Sequence, residues 1–272
     1  MSSEAMNAKA GTAAGQRGPL PGLTVLAPGV WRPDWALPAG VQARVTTRHG
    51  GCSRAPFDAF NLGDHVGDDP VAVQANRARL REHLALPPLW LSQVHGVAVA
   101  DADHDTGCPE ADAAVARARS RACAVLTADC LPVLFCDDDA TVVAAAHAGW
   151  RGLAAGVLES TVRAMNVAPS RLRAWLGPAI GAQAFEVGDE VRTAFMMDDP
   201  GAAAAFVPGR VAGKWMADIF ALARRRLVRM GISRIAGGGL CTVSNPDAFY
   251  SYRRDGRSGR FASLIWLAPA AH

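Results

Sequence analysis

Three apolar segments that follow one another closely place the strongest limit on the fold of this chain. Residues 122–127, 131–135 and 141–146 are almost entirely hydrophobic, and each is too short for a well-formed helix. Short apolar runs that end at turn-forming residues are typical of buried β-strands. The centre of the sequence therefore predicts a group of neighbouring strands inside a hydrophobic core.

Helical and extended patterns both occur around this central region. Apolar residues at helical spacing predict four helices, at residues 71–84, 153–165, 186–196 and 215–230. Short apolar runs predict further strands at residues 41–47, 89–91, 97–100, 172–176 and 264–267. Because these elements do not alternate strictly, the sequence predicts an α/β fold in which helices flank layers of mixed β-sheet. No repeat or long linker is present, so residues 20–272 are expected to form a single domain.

The first residues and the overall composition restrict the classes of protein to which the chain can belong. Residues 1–19 are rich in Ala, Gly and Ser and lack the apolar core of a signal peptide, so they predict a disordered tail. No stretch has the length and hydrophobicity of a membrane span. The six cysteines form no C-x-x-C pair and the net charge is only +3, which argues against a disulfide framework and a nucleic-acid partner. A cytoplasmic protein that binds neither membrane nor nucleic acid is predicted.

Metal-binding side chains stand at the ends of three predicted strands. His95 follows residues 89–91, Cys130 follows residues 122–127, and His147 follows the third central segment, each beside a turn-forming residue. A thiolate and two imidazoles are ligands that zinc prefers, and catalytic zinc sites keep three protein ligands and one open position. The spacing matches no zinc-finger motif. This pattern alone therefore does not distinguish metal ligands from residues with ordinary structural roles.

Two segments near the start of the chain carry polar residues among glycines. Arg48 precedes the pair Gly50 and Gly51, and glycines allow a backbone to approach a ligand closely. An arginine there can bind a phosphate or carboxylate through two hydrogen bonds, although an exposed surface turn is the alternative. Asn61 and His65 lie in a second glycine-containing segment, where His65 is either a ligand contact or a turn residue.

Later segments add further candidates for substrate contact and catalysis. Asp129 adjoins the cysteine at 130, where a carboxylate can orient a ligand, act as a general base or simply cap a turn. Arg151 follows the histidine at 147 and can bring a guanidinium close to an anion. Tyr250 and Arg253 belong to an aromatic and basic segment that either closes a pocket or packs on the core.

Taken together, these segments resemble the laccase-domain family of YfiH-like purine nucleoside phosphorylases. The matching segments are residues 46–51, 61–69, 93–96, 111–112, 127–132, 146–152, 176–180 and 249–255. With the flanking strands they extend over nearly the whole predicted domain, in the order that the family shows. The resemblance implies a single α/β domain with a zinc ion held by His95, Cys130 and His147, copper being the other metal connected with such proteins.

The resemblance also implies an activity and a set of substrate contacts. Similar proteins cleave adenosine, inosine and S-methyl-5'-thioadenosine with phosphate and also deaminate adenosine. Arg48 and Asn61 are expected to line the pocket, with phosphate near Arg48, Arg151 or an arginine close to the C-terminus. Asp129 or His65 is expected to assist proton transfer. The predicted partners are a nucleoside and phosphate, and the protein is expected to be a monomer or a homodimer.

Three other functions are compatible with parts of the pattern. Similar proteins have been described as copper-dependent polyphenol oxidases, but seven histidines and one Cys-His-His set do not supply the clustered coppers that full reduction of oxygen requires. Others are connected with removal of a wrongly added amino acid from a peptidoglycan precursor, where either Cys130 acts as a nucleophile or a zinc-bound water attacks the amide. A metal-binding module without catalytic activity is the fourth hypothesis.

Overall fold

A computed structural model describes residues 20–269, and the tail predicted at residues 1–19 lies outside them. The described strands are β1 (Leu23–Ala27), β2 (Val30–Pro33), β3 (Val41–Thr46), β4 (Pro88–Leu89), β5 (Val99–Asp101), β6 (Ala113–Ala116), β7 (Ala122–Thr127), β8 (Leu131–Asp137), β9 (Val143–Ala148), β10 (Leu172–Leu176), β11 (Glu186–Gly188), β12 (Phe206–Pro208), β13 (Lys214–Ala217), β14 (Arg234–Gly237) and β15 (Phe261–Leu267). The α-helices are α1 (Pro70–Arg81), α2 (Trp150–Ala155), α3 (Val157–Met165), α4 (Asp189–Asp198), α5 (Ile219–Arg229) and α6 (Tyr252–Asp255). Short 3-10 helices occupy Pro169–Arg171 and Pro200–Ala205. Among the described helices, none combines the length and the hydrophobicity that a membrane crossing needs.

The strands form two six-stranded sheets and one small sheet. The first sheet has the order β1-β2-β3-β15-β7-β4, and the second has the order β14-β10-β8-β9-β6-β5. Both contain parallel and antiparallel pairs: β15 runs antiparallel to β7, for example, whereas β10 runs parallel to β14. Strands β11, β13 and β12 form the third sheet. The predicted α/β fold with mixed sheet layers is therefore confirmed.

The two large sheets pack against each other, and helices cover their outer faces. Val125 of β7 lies in the same apolar cluster as Leu134 of β8, which places the two sheets in contact. Leu126, the next residue on β7, instead packs with Leu80 of α1, and Val133 of β8 packs with α3. Because successive side chains of a strand point to opposite faces, both strands are buried on both sides. This double burial explains why the central segments are continuously hydrophobic.

The structure corrects three of the four predicted helices. The segment 153–165 is two helices, α2 and α3, because the chain between them takes a left-handed conformation at Gly156 with φ of 98°. The segment 186–196 begins as strand β11 and becomes helical only in α4. The segment 215–230 likewise begins in strand β13. Its helix starts after Asp218, whose side chain accepts a hydrogen bond from the backbone of the first helical turn.

Gly29 fills a position in the β1–β2 turn where a side chain does not fit. Its φ is +80°, and a Cβ at this position would lie 2.0 Å from the carbonyl oxygen of His49. We expect Gly29→Ala to lower the free energy of unfolding by more than about 2 kcal/mol, because backbone strain and a clash add together. Gly107→Ala is the matched control, since Gly107 also has positive φ, +70°, but no atom within 4 Å of its Cβ position. Equal losses in urea unfolding for both variants would contradict this explanation.

Candidate metal centre

His147 is oriented by the carboxylate of the residue that immediately precedes the neighbouring strand β6. Its backbone N–H donates to the carbonyl oxygen of Asp112, which immediately precedes β6, at 2.7 Å. Its Nδ1 lies 2.8 Å from Oδ1 of the same residue, and both side chains are buried. Because an ionised carboxylate only accepts hydrogen bonds, Nδ1 carries the proton and Nε2 is the nitrogen left for a metal. A carboxylate behind a histidine ligand is a common arrangement at zinc sites.

The same carboxylate also fixes the segment that contains His95. Asp112 accepts hydrogen bonds from the backbone N–H groups of Val94, His95 and Gly96 at 3.2, 2.9 and 2.6 Å. Gln93 holds the other side of this segment through two hydrogen bonds with the backbone of Leu126 in β7, both 2.8 Å long. The loop before β5 is therefore attached to both large sheets. His95 itself is exposed, and its backbone is left-handed with φ of 63°.

Cys130 lies where the chain passes from one large sheet to the other. It follows β7 of the first sheet and directly precedes β8 of the second. Pairing of β8 with β9 sets Pro132 opposite His147, which brings the cysteine close to that histidine. Asp129 has φ of 88°, a conformation that costs a non-glycine residue about 1 to 3 kcal/mol. The backbone is therefore strained at His95 and at Asp129, the residue that precedes the cysteine.

The three side chains form a set of ligands that fits one metal ion. Cys130 Sγ lies 3.6 Å from His95 Nε2, and the ligand atoms of His95, Cys130 and His147 all lie within 4.8 Å of one another. The two imidazole rings are edge to face with centroids 4.8 Å apart. Tetrahedral zinc, with bonds of about 2.0 to 2.3 Å, holds sulfur and nitrogen ligands about 3.5 Å apart. The distance observed between sulfur and nitrogen agrees with that requirement.

Electrostatic interactions within the cluster favour a thiolate at Cys130 and a protonated imidazole at His147, whose Nε2 proton a bound metal would replace. Burial alone would raise the pKa of Cys130, but His147 and His95 outweigh burial and hold it below the usual value of a thiol. Burial would also raise the pKa of Asp112, yet the hydrogen bonds from His147 and from the backbone of Gly96 lower it. The lowered pKa favours the thiolate, which is the form of cysteine that binds metals.

Gly149 allows the ligands to approach one another. A Cβ at this position would lie 2.7 Å from His95 Cδ2 and 2.9 Å from Cys130 Sγ. The backbone at Gly149 has φ of −60°, which alanine also adopts, so the substitution adds volume without backbone strain. We expect Gly149→Ala to lower zinc affinity by about tenfold or more, although no ligand changes, because misplaced ligands bind metals poorly. Competition with a chromogenic chelator measures this affinity, and an unchanged value would contradict the prediction.

A cavity of about 480 Å³ opens beside the three ligands and is large enough for a small molecule. Trp150 at the start of α2, Phe185 and Tyr252 contribute aromatic surface to its wall, together with Ile180 and Ile219. Aromatic and aliphatic surface of this kind stacks on a flat, partly apolar group such as a nucleobase. The cavity therefore combines a metal-binding set with a wall that suits a heterocycle.

The same cavity is rich in cationic side chains. Arg151, Arg253 and Arg260 line it, and none of them forms an ion pair with a carboxylate among residues 20–269. Arg253 donates to backbone carbonyls of residues 184 and 186. His65 also lines the cavity, and burial, followed by the charge of Arg260, lowers the pKa of its imidazole. The cavity therefore has an excess of positive charge that suits an anionic ligand.

Asp129 is the carboxylate that lines this cavity, and its oxygens have defined partners. Oδ1 accepts a hydrogen bond from the hydroxyl of Thr242 at 2.5 Å. Oδ2 accepts from the hydroxyl of Ser251 at 3.0 Å and from the backbone N–H of Arg253 at 2.7 Å. These bonds attach the segment that carries α6 to the wall beside Cys130. Asp129 therefore positions Arg253, and its predicted part in proton transfer stays a prediction.

Arg48 and Tyr250 lie outside the lining of the cavity. The guanidinium of Arg48 pairs with Asp58 at 3.2 Å and also donates to the carbonyl oxygens of Asp58 and Pro246. It stacks 5.1 Å above the ring of Tyr250, whose hydroxyl donates to the carbonyl oxygen of Phe57. Together the two residues join distant loops. Their predicted contact with substrate, and the catalytic role predicted for Arg48, stay predictions.

Asn61 is fully buried and contacts the cavity only through a neighbour. Its Oδ1 accepts hydrogen bonds from the backbone N–H groups of Gly63 and Arg260, while Nδ2 donates to Asp68 at 2.9 Å. The side chain therefore fixes the backbone at Arg260, a residue that does line the cavity. Sequence reasoning assigned no role to Asp112, Gln93, Thr127 or Arg260. For Gln93, Asp112 and Thr127, the available sequence signal was their presence in the matching segments.

Comparison with known proteins settles the family. Residues 42–268 match the family described as multi-copper polyphenol oxidoreductase laccase. The chain belongs to this family. The resemblance read from the motifs is thereby confirmed. The description as multi-copper does not fit the site, however, because residues 20–269 contain a single cluster of three or more potential ligands, which suits one zinc or one copper ion.

Relatives of this laccase-like chain are named for another activity. A purine nucleoside phosphorylase of Pseudomonas aeruginosa is 58% identical over 235 residues, covering 86% of this chain and 97% of the relative. Purine nucleoside phosphorylase YfiH of Escherichia coli is 52% identical over 241 residues, with 86% and 97% covered.

Solved structures show the same fold. A protein of Neisseria meningitidis has a TM-score of 0.86 and 52% identity, covering 89% of this chain and all of the other. YlmD of Geobacillus stearothermophilus has a TM-score of 0.83 and 32% identity, with 91% and 99% covered. A mixed α/β single domain therefore characterises this chain as well.

Proposed function

We propose that this protein is a zinc-dependent purine nucleoside phosphorylase that uses adenosine, inosine and S-methyl-5'-thioadenosine. The observation that carries the proposal is the juxtaposition of a three-ligand set with a cavity that has both an aromatic wall and unpaired arginines. Phosphorolysis brings a nucleobase and a phosphate into one site, and these two surfaces match the two groups. The names of the relatives agree with this activity.

His95, Cys130 and His147 would hold the zinc ion, with Asp112 fixing the tautomer of His147. A zinc ion in this position would supply a Lewis acid to polarise an oxygen of the substrate. The aromatic wall binds and orients the base, while the arginines attract phosphate and align it with the anomeric carbon. Asp129, as the carboxylate on the wall, is assigned transfer of a proton from the attacking dihydrogen phosphate to the departing base.

Adenosine deamination is proposed as a companion activity of the same cavity. Deamination replaces the exocyclic amine of the purine with oxygen from water, so it does not consume phosphate. The two activities are therefore separable by their dependence on phosphate. Because the cavity is lined by one carboxylate, Asp129, the two reactions would share the same group for proton transfer.

The proposal is tested by incubating purified protein with adenosine in the presence and absence of phosphate. Chromatography should show adenine and ribose 1-phosphate only when phosphate is present, and inosine in both samples. His95→Ala is the control for contaminating activity, because it removes a proposed ligand. Product formation that does not exceed this control would contradict the proposed function. Adenine together with free ribose, at a rate independent of phosphate, would indicate a nucleoside hydrolase.

Hydrolysis of an amide in a peptidoglycan precursor is the second candidate. The unpaired arginines also suit the diphosphate of a UDP-linked sugar, and Cys130 lies 3.6 Å from a histidine nitrogen, as in cysteine hydrolases. Release of serine from a UDP-muramyl-serine substrate, measured beside nucleoside cleavage in the same preparation, separates the two activities. A higher kcat/KM for the precursor would make amide hydrolysis the principal function.

A further inference from the structure

Arg260 is a fixed cation whose hydrogen-bonding capacity is only partly used. Its Nη1 donates to the carbonyl oxygens of Ser258 and Gly259 at 2.9 and 3.0 Å, and its backbone N–H donates to Asn61. Its aliphatic stem packs on Gly63, where a Cβ would lie 2.8 Å from Arg260 Cγ. Among residues 20–269, Nε and Nη2 have no hydrogen-bond acceptor and no carboxylate partner. The guanidinium is therefore held in place with two N–H-bearing nitrogens available to a ligand.

The charge of Arg260 lies close to the proposed metal ligands. Burial lowers the pKa of Arg260, while the charges of Cys130 and Asp129 raise it, and an arginine stays protonated throughout the physiological range. The charge also lowers the pKa of His65, after the larger effect of burial. Arg260 lines the same cavity as His65, Asp129 and Cys130. A partly buried cation that has no carboxylate in direct contact favours an anionic ligand in such a place.

Thr127, which lines the same cavity, has a side-chain hydroxyl without a hydrogen-bond partner among residues 20–269. Strand pairing sets Thr127 opposite Phe261, the residue that follows Arg260, and both Thr127 and Arg260 line the cavity. The residue is only 1% exposed, and its hydroxyl makes no hydrogen bond to the described part of the chain. Buried hydroxyls without partners are rare in proteins, and an unexplained one beside a cavity calls for a partner such as an ordered water, an ion or a ligand.

We propose that Arg260 and Thr127 form the oxyanion subsite of the cavity, and that this subsite binds the phosphate consumed by the proposed phosphorolysis. Arg48 does not belong to it, because each of its nitrogens already has an acceptor in the loops at residues 58 and 246. Asn61 acts as a positioning residue, since its Oδ1 holds the backbone of Arg260. The inference rests on the proposed function for the identity of the anion, but not for the presence of the subsite.

Arg260→Gln tests the first half of the proposal. Loss of a charged donor should raise KM for phosphate by about tenfold or more, with KM for adenosine and the zinc content unchanged. Arg257→Gln is the matched control, because Arg257 belongs to the same loop but donates to Gly67 and stacks on Phe57 without lining the cavity. A KM for phosphate in Arg260→Gln that equals that of the wild type would overturn the assignment of this residue.

Thr127→Val and Thr127→Ser test the second half without removing a charge. Valine keeps the shape of threonine but lacks the hydroxyl, so it should raise KM for phosphate about fivefold. The midpoint of urea unfolding should not fall, because the hydroxyl has no partner within the chain. Serine keeps the hydroxyl and should stay close to the wild type. A lower unfolding midpoint in Thr127→Val together with unchanged KM for phosphate would show that the hydroxyl serves the fold.

A binding measurement separates failure of the subsite from failure of the proposed function. Equilibrium dialysis with labelled inorganic phosphate should show binding to the wild-type zinc protein and at least about tenfold weaker binding to Arg260→Gln. If the wild type binds phosphate in this way but cleaves no nucleoside, the subsite stands and the proposed phosphorolysis fails. Absence of phosphate binding by the wild type, or binding of only UDP in a parallel experiment, would overturn the subsite for free phosphate.

Discussion

Replacement of Cys130 by alanine is expected to have the largest effect of any single substitution in this protein. The variant loses the thiolate of the three-ligand set, and the two remaining imidazoles do not complete a stable zinc site. We expect bound zinc to fall to background, and kcat/KM for adenosine phosphorolysis to fall by more than the roughly 100-fold that loss of an outer-shell partner can cause. Metal analysis of dialysed protein and steady-state kinetics measure the two quantities.

Cys108→Ala is the matched control for this experiment. Cys108 is a free and exposed cysteine with no contact to the three ligands, so its removal should change neither zinc content nor activity. Cys130→Ser adds a second comparison, because serine preserves the size of the side chain and replaces only the sulfur. Bound zinc in Cys130→Ala at the wild-type level would contradict the assignment of this residue as a ligand.

Replacement of Asp112 by asparagine is expected to weaken both the metal site and the fold. The carboxylate accepts hydrogen bonds from His147 Nδ1 and from three successive backbone N–H groups around His95, and it is completely buried. An amide has only one oxygen, so its NH2 group would face donors that need an acceptor. We expect zinc affinity to fall by about 10- to 100-fold. The free energy of unfolding of the metal-free protein should fall by about 3 kcal/mol.

Asp103→Asn controls for the general effect of removing a carboxylate that supports a loop. Asp103 accepts hydrogen bonds from the backbone N–H groups of Arg117 and Ala118 but does not contact the histidines. It should lower stability while zinc affinity, measured with a competing chelator, stays at the wild-type value. An Asp112→Asn variant with the same pattern as Asp103→Asn would show that Asp112 supports only the fold.

Strands were predicted best where the hydrophobic pattern of a segment matches its burial in the fold. The segments at 122–127 and 131–135 are hydrophobic at every position because β7 and β8 are buried on both faces, and their strand character was predicted correctly. The segment at 215–230 was misread because four residues are too few to distinguish a period of 2.0 from one of 3.6. Asp218, a helix N-cap, was the signal that marked the true start of α5.

The metal ligands could be predicted because they lie near strand ends, which a sequence reveals. The residues that support them could not be predicted, because their positions depend on how the sheets meet. His95, Cys130 and His147 each follow an apolar run, so the sequence identified them as candidates. Asp112 supports two of them because β6 pairs with β9 and because the loop before β5 folds onto the same edge. Arg260 reaches the cavity because β15 pairs with β7. Long-range pairing of this kind leaves no local pattern in the sequence.

For a similar reason, the sequence could not show which arginine is free to contact phosphate. Arg48 stands beside glycines, a pattern typical of anion sites, but each nitrogen of its guanidinium already donates to Asp58 or to the carbonyl oxygen of Pro246, which is distant in sequence. Arg260 follows no recognisable motif, yet two of its nitrogens have no partner. Whether an arginine is free to bind a ligand thus depends on its neighbours in the folded chain. We therefore propose Arg260, in place of Arg48, as the phosphate contact.

Anomalous diffraction at the zinc absorption edge, from a crystal soaked with a nucleoside, tests the central claim most directly. We expect a single peak bonded to Cys130 Sγ and to one nitrogen each of His95 and His147, with the fourth position facing the cavity and the nucleoside. A map without a peak at these residues, or with Cys130 Sγ beyond bonding distance of the metal, would contradict it.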